Sequence, residues 1–139
     1  MRIEDLGEAV AGCTRSTEFV TGEYLLRVGA PADECFLIEQ GRVALEVHAP
    51  ARPPEVLLTL GPGDLVGLSW ILPPYRWACD ARAVQPVRVV AIDARRVRER
   101  CDADPRLGYH LLQGVLRAAI DRLQATRLQH LDVYRDPTS

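Results

Sequence analysis

Gly61 to Val84, reading GPGDLVGLSWILPPYRWACDARAV, is the stretch whose residue types could hold a ligand. Gly61, Gly63 and Gly67 allow turns and close backbone approach that a Cβ would obstruct. The apolar run Leu68 to Leu72 is too short for an ordinary helix and is cut off by Pro73 and Pro74. One helical turn still leaves backbone N–H groups without partners at its start. Such a turn behind a glycine can hold a phosphate at Gly67, Leu68 and Ser69. The plainer reading is a glycine-rich corner joining two strands, and the chemistry alone leaves both open.

The elements that must position this corner follow from pattern. The 139 residues are predicted to form a single domain, with a barrel over about 17–93 and helices over about 94–134. Ile3, Leu6 and Val10 fall at helical spacing, so a short amphipathic helix is expected to open the chain and end near Gly12. From Thr17 the pattern changes to short strands punctuated by glycine and proline. Val43, Leu45 and Val47 alternate with Ala44, Glu46 and His48, the period of a half-buried strand, and Val56, Leu58 and Leu60 alternate again. Cys79 to Val84 and Val87 to Ile92 supply two more strands. This grammar predicts a mainly β sandwich or barrel.

The last third reads as helical. Ala94 to Cys101 is expected to form a short basic helix with Arg95, Arg96, Arg98 and Arg100 mostly solvated. Asp104 and Pro105 make a good start for a second helix, which nothing breaks until about Tyr134. At ~1.5 Å per residue it is on the order of 45 Å long. Its apolar residues cover an arc of about 220°, against the ~100° stripe that one core requires. The helix should therefore pack on the barrel with one side and on something else with the other. Leu112, Leu116, Ala119, Leu123, Thr126, His130 and Val133 recur at alternating fours and threes, which suggests a second helix as that partner.

Composition bounds the function. Hydrophobic residues are 47% of the chain, charged residues 26%, and net charge is −2, so no global field draws it to nucleic acid or anionic membrane. No apolar run approaches the ~20 residues of a membrane span. The acidic start MRIEDLGEAV lacks an apolar signal core, which predicts a cytoplasmic protein. Cys13, Cys35, Cys79 and Cys101 are widely separated and read as reduced thiols. His48, His110 and His130 are scattered, so a metal site lacks its usual ligands and no metal or cofactor is expected. Asp64 and Ser69 have no histidine or lysine base nearby in sequence, and an enzyme is not expected.

Four segments resemble the cyclic-nucleotide-binding domain of the catabolite-activator type: TGEYLLRVGAPADECFLIEQGRVALEV, GPGDLVG, ARAVQPVRVVAID and RLQAT. The resemblance runs over nearly the whole chain. It implies an eight-stranded jelly-roll (double-stranded β-helix) barrel, with Gly61 to Val84 as the phosphate-binding cassette. It also implies a long C-terminal helix that dimerises and closes the pocket, with Leu112, Leu116, Ala119 and Leu123 at the interface. Thr126 resembles the helix threonine that contacts the purine.

Two departures from that family stand out. Its cassette places a glutamate after the glycine to accept from the ribose hydroxyl; here the residue is Leu68, followed by Ser69. It also places an arginine where the cyclic phosphate binds; here Trp77 aligns, with Arg76 one residue early, and the hydroxyl partner becomes Ala78, or Cys79 if the register slips. Asp80 adds a negative charge. Losing one charge-assisted hydrogen bond costs about 1.5–3 kcal/mol, so ordinary cyclic nucleotides should bind poorly. Trp70, Tyr75 and Trp77 either stack on a base or plug the cavity, and both readings stand at this stage. Only Arg135 to Ser139 follow Tyr134, so no helix-turn-helix unit is expected and direct DNA binding is not. The sequence thus predicts a dimeric sensor. It would take a nucleotide-like or other anionic small molecule at Gly67, Leu68, Ser69, Arg76, Trp77, Ala78 and Thr126, and signal to a partner protein. The alternative is a ligand-free dimeric adaptor with a plugged pocket.

Overall fold

The alternating segments are realised as eight strands: β1 (Thr14–Phe19), β2 (Tyr24–Leu26), β3 (Glu34–Gln40), β4 (Val43–Val47), β5 (Glu55–Leu60), β6 (Leu65–Val66), β7 (Asp80–Ala83) and β8 (Val87–Asp93). The structure, a computed structural model, describes residues 1–135, with side chains as far as 127. The strands form two antiparallel sheets ordered β1-β8-β3-β6 and β2-β7-β4-β5, a jelly-roll arrangement. The central strands are covered on both faces: β4 buries Val43 to Glu46 and exposes Val47, and β3 buries Cys35 to Ile38, so the expected half-buried alternation of β4 is corrected. Val43 and Leu45 of β4 meet Ala81 and Ala83 of β7 in register and face the shared core, along with Leu58 and Leu60 of β5. Cys35, Val89 and Ile92 fill the opposite sheet, and Phe36 packs edge-on against Phe19 with centroids 5.4 Å apart. β1 starts at Thr14, three residues ahead of the change of pattern at Thr17.

The expected N-terminal helix is corrected. Residues Ile3–Leu6 and Glu8–Val10 form two separate 3-10 turns. Gly7 between them has φ 77° and ψ −165°, a conformation open to glycine that breaks a helix. The His110 imidazole occupies the space a Cβ would need there. Leu6, Ala9 and Val10 are nonetheless buried, so the apolar spacing reports burial and not a continuous helix.

The arginine-rich helix is also corrected. Helix α1 (Ala94–Ala103) starts at Asp93, whose carboxylate accepts from Arg96 N–H at 3.2 Å. Arg98 is not a solvated side chain: it donates to Ala32 O and Trp70 O, each at 2.8 Å, and stacks over the Tyr75 ring at 4.5 Å. Arg100 donates to Ala11 O at 2.6 Å and to Glu8 O and Ala9 O at 3.2 Å. Irregular segments leave carbonyls with no ladder partner, and long guanidinium arms satisfy them. Arg95 and Arg96 are exposed, as expected.

Helix α2 (Pro105–Arg135) begins where the sequence places it, with the Asp104 carboxylate accepting from Arg106 N–H at 3.1 Å. Leu111 and Val115 are buried on the side that packs against α1 and the two N-terminal 3-10 turns, whereas Leu112, Leu116, Ile120 and Leu123 are about half exposed, at 48%, 59%, 45% and 58%. The expected arc is thus corrected in its inner partner: α2 rests on α1 and the N-terminal turns more than on the strands, and an adjoining apolar stripe stands bare. His130 and Val133, expected to extend that stripe, lie outside the described side chains.

Candidate functional site

β6 leads through Gly67 into a single 3-10 turn, Ser69–Ile71, and the chain returns through Pro73 and Pro74 to β7. Gly67 has φ 95°, reserved in practice for glycine. Leu68 is half-buried and packs on the core. The turn after it is three residues long and carries no side-chain cap. Tyr75 bends back at φ 56°, its carbonyl accepts from Ala32 N–H at 2.7 Å, and Trp77 exchanges backbone hydrogen bonds with Gly29 and Ala30. This lacing fixes which residue of the return strand points inward.

That residue is Trp77. The outer edge of its indole lies against Gly67, with ring carbons 2.6 Å from where a Cβ of residue 67 would stand, and the side chain is 6% exposed. Trp70 is fully buried, and among the described residues its Nε1–H has no hydrogen-bond partner. Both indoles pack inward, and Tyr75 is left at the surface under Arg98. The glycine of the expected phosphate corner is thus covered by the protein's own ring.

The other candidate residues separate by burial. Arg76 is exposed, and its guanidinium donates to Gly29 O at 2.7 Å. Ala78 is exposed, and Cys79 is half-buried beside Trp77 in the inward set. Burial pushes the Cys79 thiol up, against the pull of the nearby Arg122 cation. Thr126 is exposed and donates to Arg122 O of its own helix at 2.9 Å. Asp80 does not burden the corner either. It turns to the outer face of the sheet, next to Glu46 in register, where it accepts from Val28 N–H at 2.8 Å. His48 Nε2 lies 3.1 Å from Asp80, and Arg82 forks onto Glu46 at 2.9 and 3.1 Å. Sequence reasoning missed this buried carboxylate pair. The signal was present in the alternation of Glu46 and Asp80 with the core residues.

A second concavity was not anticipated. A groove of about 680 Å³ runs between α2, β5 and the Gly61–Leu65 turn. Arg122 lines it and donates to Leu65 O. Burial lowers the pKa of this guanidinium, against the favourable field of Asp64. Among the described residues no three His, Cys, Asp or Glu side chains converge as a metal would need. Among them, too, no helix is long and apolar enough to cross a membrane.

The contact between Trp77 and Gly67 makes a measurable prediction. Gly67→Ala should cost about 2–4 kcal/mol, from left-handed strain plus the displaced ring. In a Trp77→Ala background the same change should cost only the strain, about 1–2 kcal/mol. Equal costs in both backgrounds, measured by urea unfolding, would show that the ring does not press on Gly67.

With this geometry in view, known proteins compare as follows. The cyclic nucleotide-binding domain family matches residues 16–104, more than half of the chain. A CRP-like cAMP-activated global transcriptional regulator of Mycobacterium tuberculosis is 27% identical over 112 residues, covering 78% of this chain and 50% of the regulator. The chain therefore spans about half the length of the curated relatives it matches. A cyclic-nucleotide-binding protein of Geobacter metallireducens GS-15 superposes with a TM-score of 0.76 at 30% identity, over 88% of both chains. The Thermus thermophilus catabolite activator protein shares the fold with a TM-score of 0.62 at 20% identity, over 98% of this chain and 59% of that one. The chain belongs to the cyclic nucleotide-binding domain family.

Proposed function

We propose that this chain is a non-enzymatic regulatory domain of its family that does not read cyclic AMP or cyclic GMP in the phosphate corner. It works instead as a dimeric interaction module through the bare stripe of α2, towards a partner protein. The observation that carries this reading is the Trp77 indole seated on Gly67. A phosphate can enter only if the ring leaves. An indole buries roughly 150–250 Å², and at ~25 cal/mol per Å² its exposure costs about 4 kcal/mol. A pocket open only that rarely loses about a thousandfold in apparent affinity. Leu68, which cannot accept a hydrogen bond, adds a further loss at the ribose. The Mycobacterium tuberculosis relative is described as cAMP-activated, and the present reading sets this chain apart from it at those two residues.

The test is isothermal titration of the wild-type chain with cyclic AMP and with cyclic GMP. No heat is expected at micromolar protein, and saturable micromolar binding of either would overturn the sealed corner. Nucleic acid is a second check. With a net charge of −2, the chain should give no sequence-dependent gel shift at physiological salt. A shift that survives added salt and depends on sequence would remove the interaction-module reading.

A further inference from the structure

The groove beside α2 holds a cation with unspent capacity. Arg122 is half-buried where the helix crosses β6, and among the described residues its guanidinium makes one hydrogen bond, to Leu65 O, and no ion pair. Asp64 is near enough to favour its charge, yet that carboxylate is already held by Gly61 N–H at 2.8 Å. A partly desolvated guanidinium facing an open groove is best satisfied by an oxyanion, whose geometry matches the planar fork. Arg117 lines the same groove and is exposed. The volume, about 680 Å³, falls within the range of pockets that take small organic molecules.

The remaining lining narrows the ligand. Glu4, Asp5, Asp64 and Asp121 bring four carboxylates against two guanidiniums. A polyanion such as a triphosphate would be repelled, whereas hydroxyl groups would find acceptors. Leu58 and Leu60 supply an apolar wall.

We infer that this groove binds a small organic molecule that bears one anionic group and several hydroxyl groups. Its oxyanion, a phosphate ester or a carboxylate, rests on Arg122 and Arg117, and its hydroxyls face Asp64 and Asp121. The inference deepens the proposed function by giving the output helix α2 a ligand of its own, and it does not depend on the sealed corner. Arg122 lies next to Leu123 of the bare stripe, so occupancy would fix α2 against the barrel close to the surface through which the domain acts.

Backbone amide spectra of the full chain, titrated separately with ribose 5-phosphate, gluconate and plain ribose, test this. Either anion should produce saturable shifts at Asp64, Leu65, Arg117 and Asp121, and ribose none; the stronger of the two identifies the head group. Arg122→Gln should weaken that binding at least tenfold, with Arg122→Lys intermediate. Should Arg122→Gln fail to fold, Arg117→Gln, which alters an exposed side chain, should still weaken it. Absence of saturable shifts with both anions, or binding unchanged in the arginine variants, overturns the groove site alone. Saturable shifts centred on Gly67 and Ala78 would overturn the groove site and the sealed corner together.

Discussion

Trp77→Arg combined with Leu68→Glu is expected to convert a chain that gives no heat with cyclic AMP into one that binds it, with a gain of at least tenfold. Position 77 is the right place for the cation because the wild-type ring already reaches from there to Gly67. An arginine on the same inward Cα can put its guanidinium where the indole edge now lies. Arg76 cannot be recruited, since it is exposed and is tied to Gly29 O. Leu68→Glu supplies the missing ribose acceptor beside the glycine. Each restored charge-assisted hydrogen bond contributes about 1.5–3 kcal/mol, so a tenfold gain, about 1.4 kcal/mol, is a conservative floor after the loss of packed indole. The single change Trp77→Ala separates the two effects, because it opens the corner without supplying a cation and should give a smaller gain. If the double variant folds and titration still shows no heat, something other than these two side chains closes the site.

Much of this was legible because strand alternation and helix capping are local. Val43, Leu45 and Val47 declare a strand without knowledge of its neighbours, though not that Ala44 and Glu46 are buried as well and Val47 exposed, and Asp104 with Pro105 declares a helix start. Arg76 is exposed and Trp77 buried, although this segment is an irregular return loop with a single bridge and not a strand. What the sequence left open was set by contacts between distant segments. Whether Trp77 lines or fills the corner depends on the hydrogen bonds that lace residues 75–77 to residues 29–32. Arg98 and Arg100 look solvated in sequence because their acceptors are backbone carbonyls of the cassette and the N-terminal turns. Backbone acceptors carry no side-chain signature. Ile3, Leu6 and Val10 fit a helical period, yet Gly7 breaks the helix because α2 brings His110 against it. The groove arises where α2 crosses the Gly61–Leu65 turn, a juxtaposition that no window of sequence contains.

Replacing both Leu116 and Leu123 with glutamate is expected to turn a dimeric chain into a monomer. Leu112, Leu116, Ile120 and Leu123 form one continuous bare stripe, and Ala119 within it lets two helices approach closely. A two-fold pairing sets this stripe against its own copy, so each substitution is felt twice. Burying one leucine stabilises by about 1.5–3 kcal/mol, and the double variant removes four from the dimer. Scaled to the 59% and 58% of each leucine that the protomer exposes, even the lower figure gives about 3.5 kcal/mol, or roughly two to three orders of magnitude in the dissociation constant. The introduced glutamates add repulsion between like charges near the axis. In the isolated protomer both leucines are more than half exposed, at 59% and 58%. The fold itself should therefore survive, and an unchanged circular dichroism spectrum would separate dissociation from unfolding. Sedimentation velocity at micromolar concentration should show a dimer for the wild type and a monomer for the variant. Arg95→Glu, on the exposed face of α1, should leave the dimer intact. A dimer that persists in the double variant would take α2 out of the interface, and with it the route by which this domain is proposed to act.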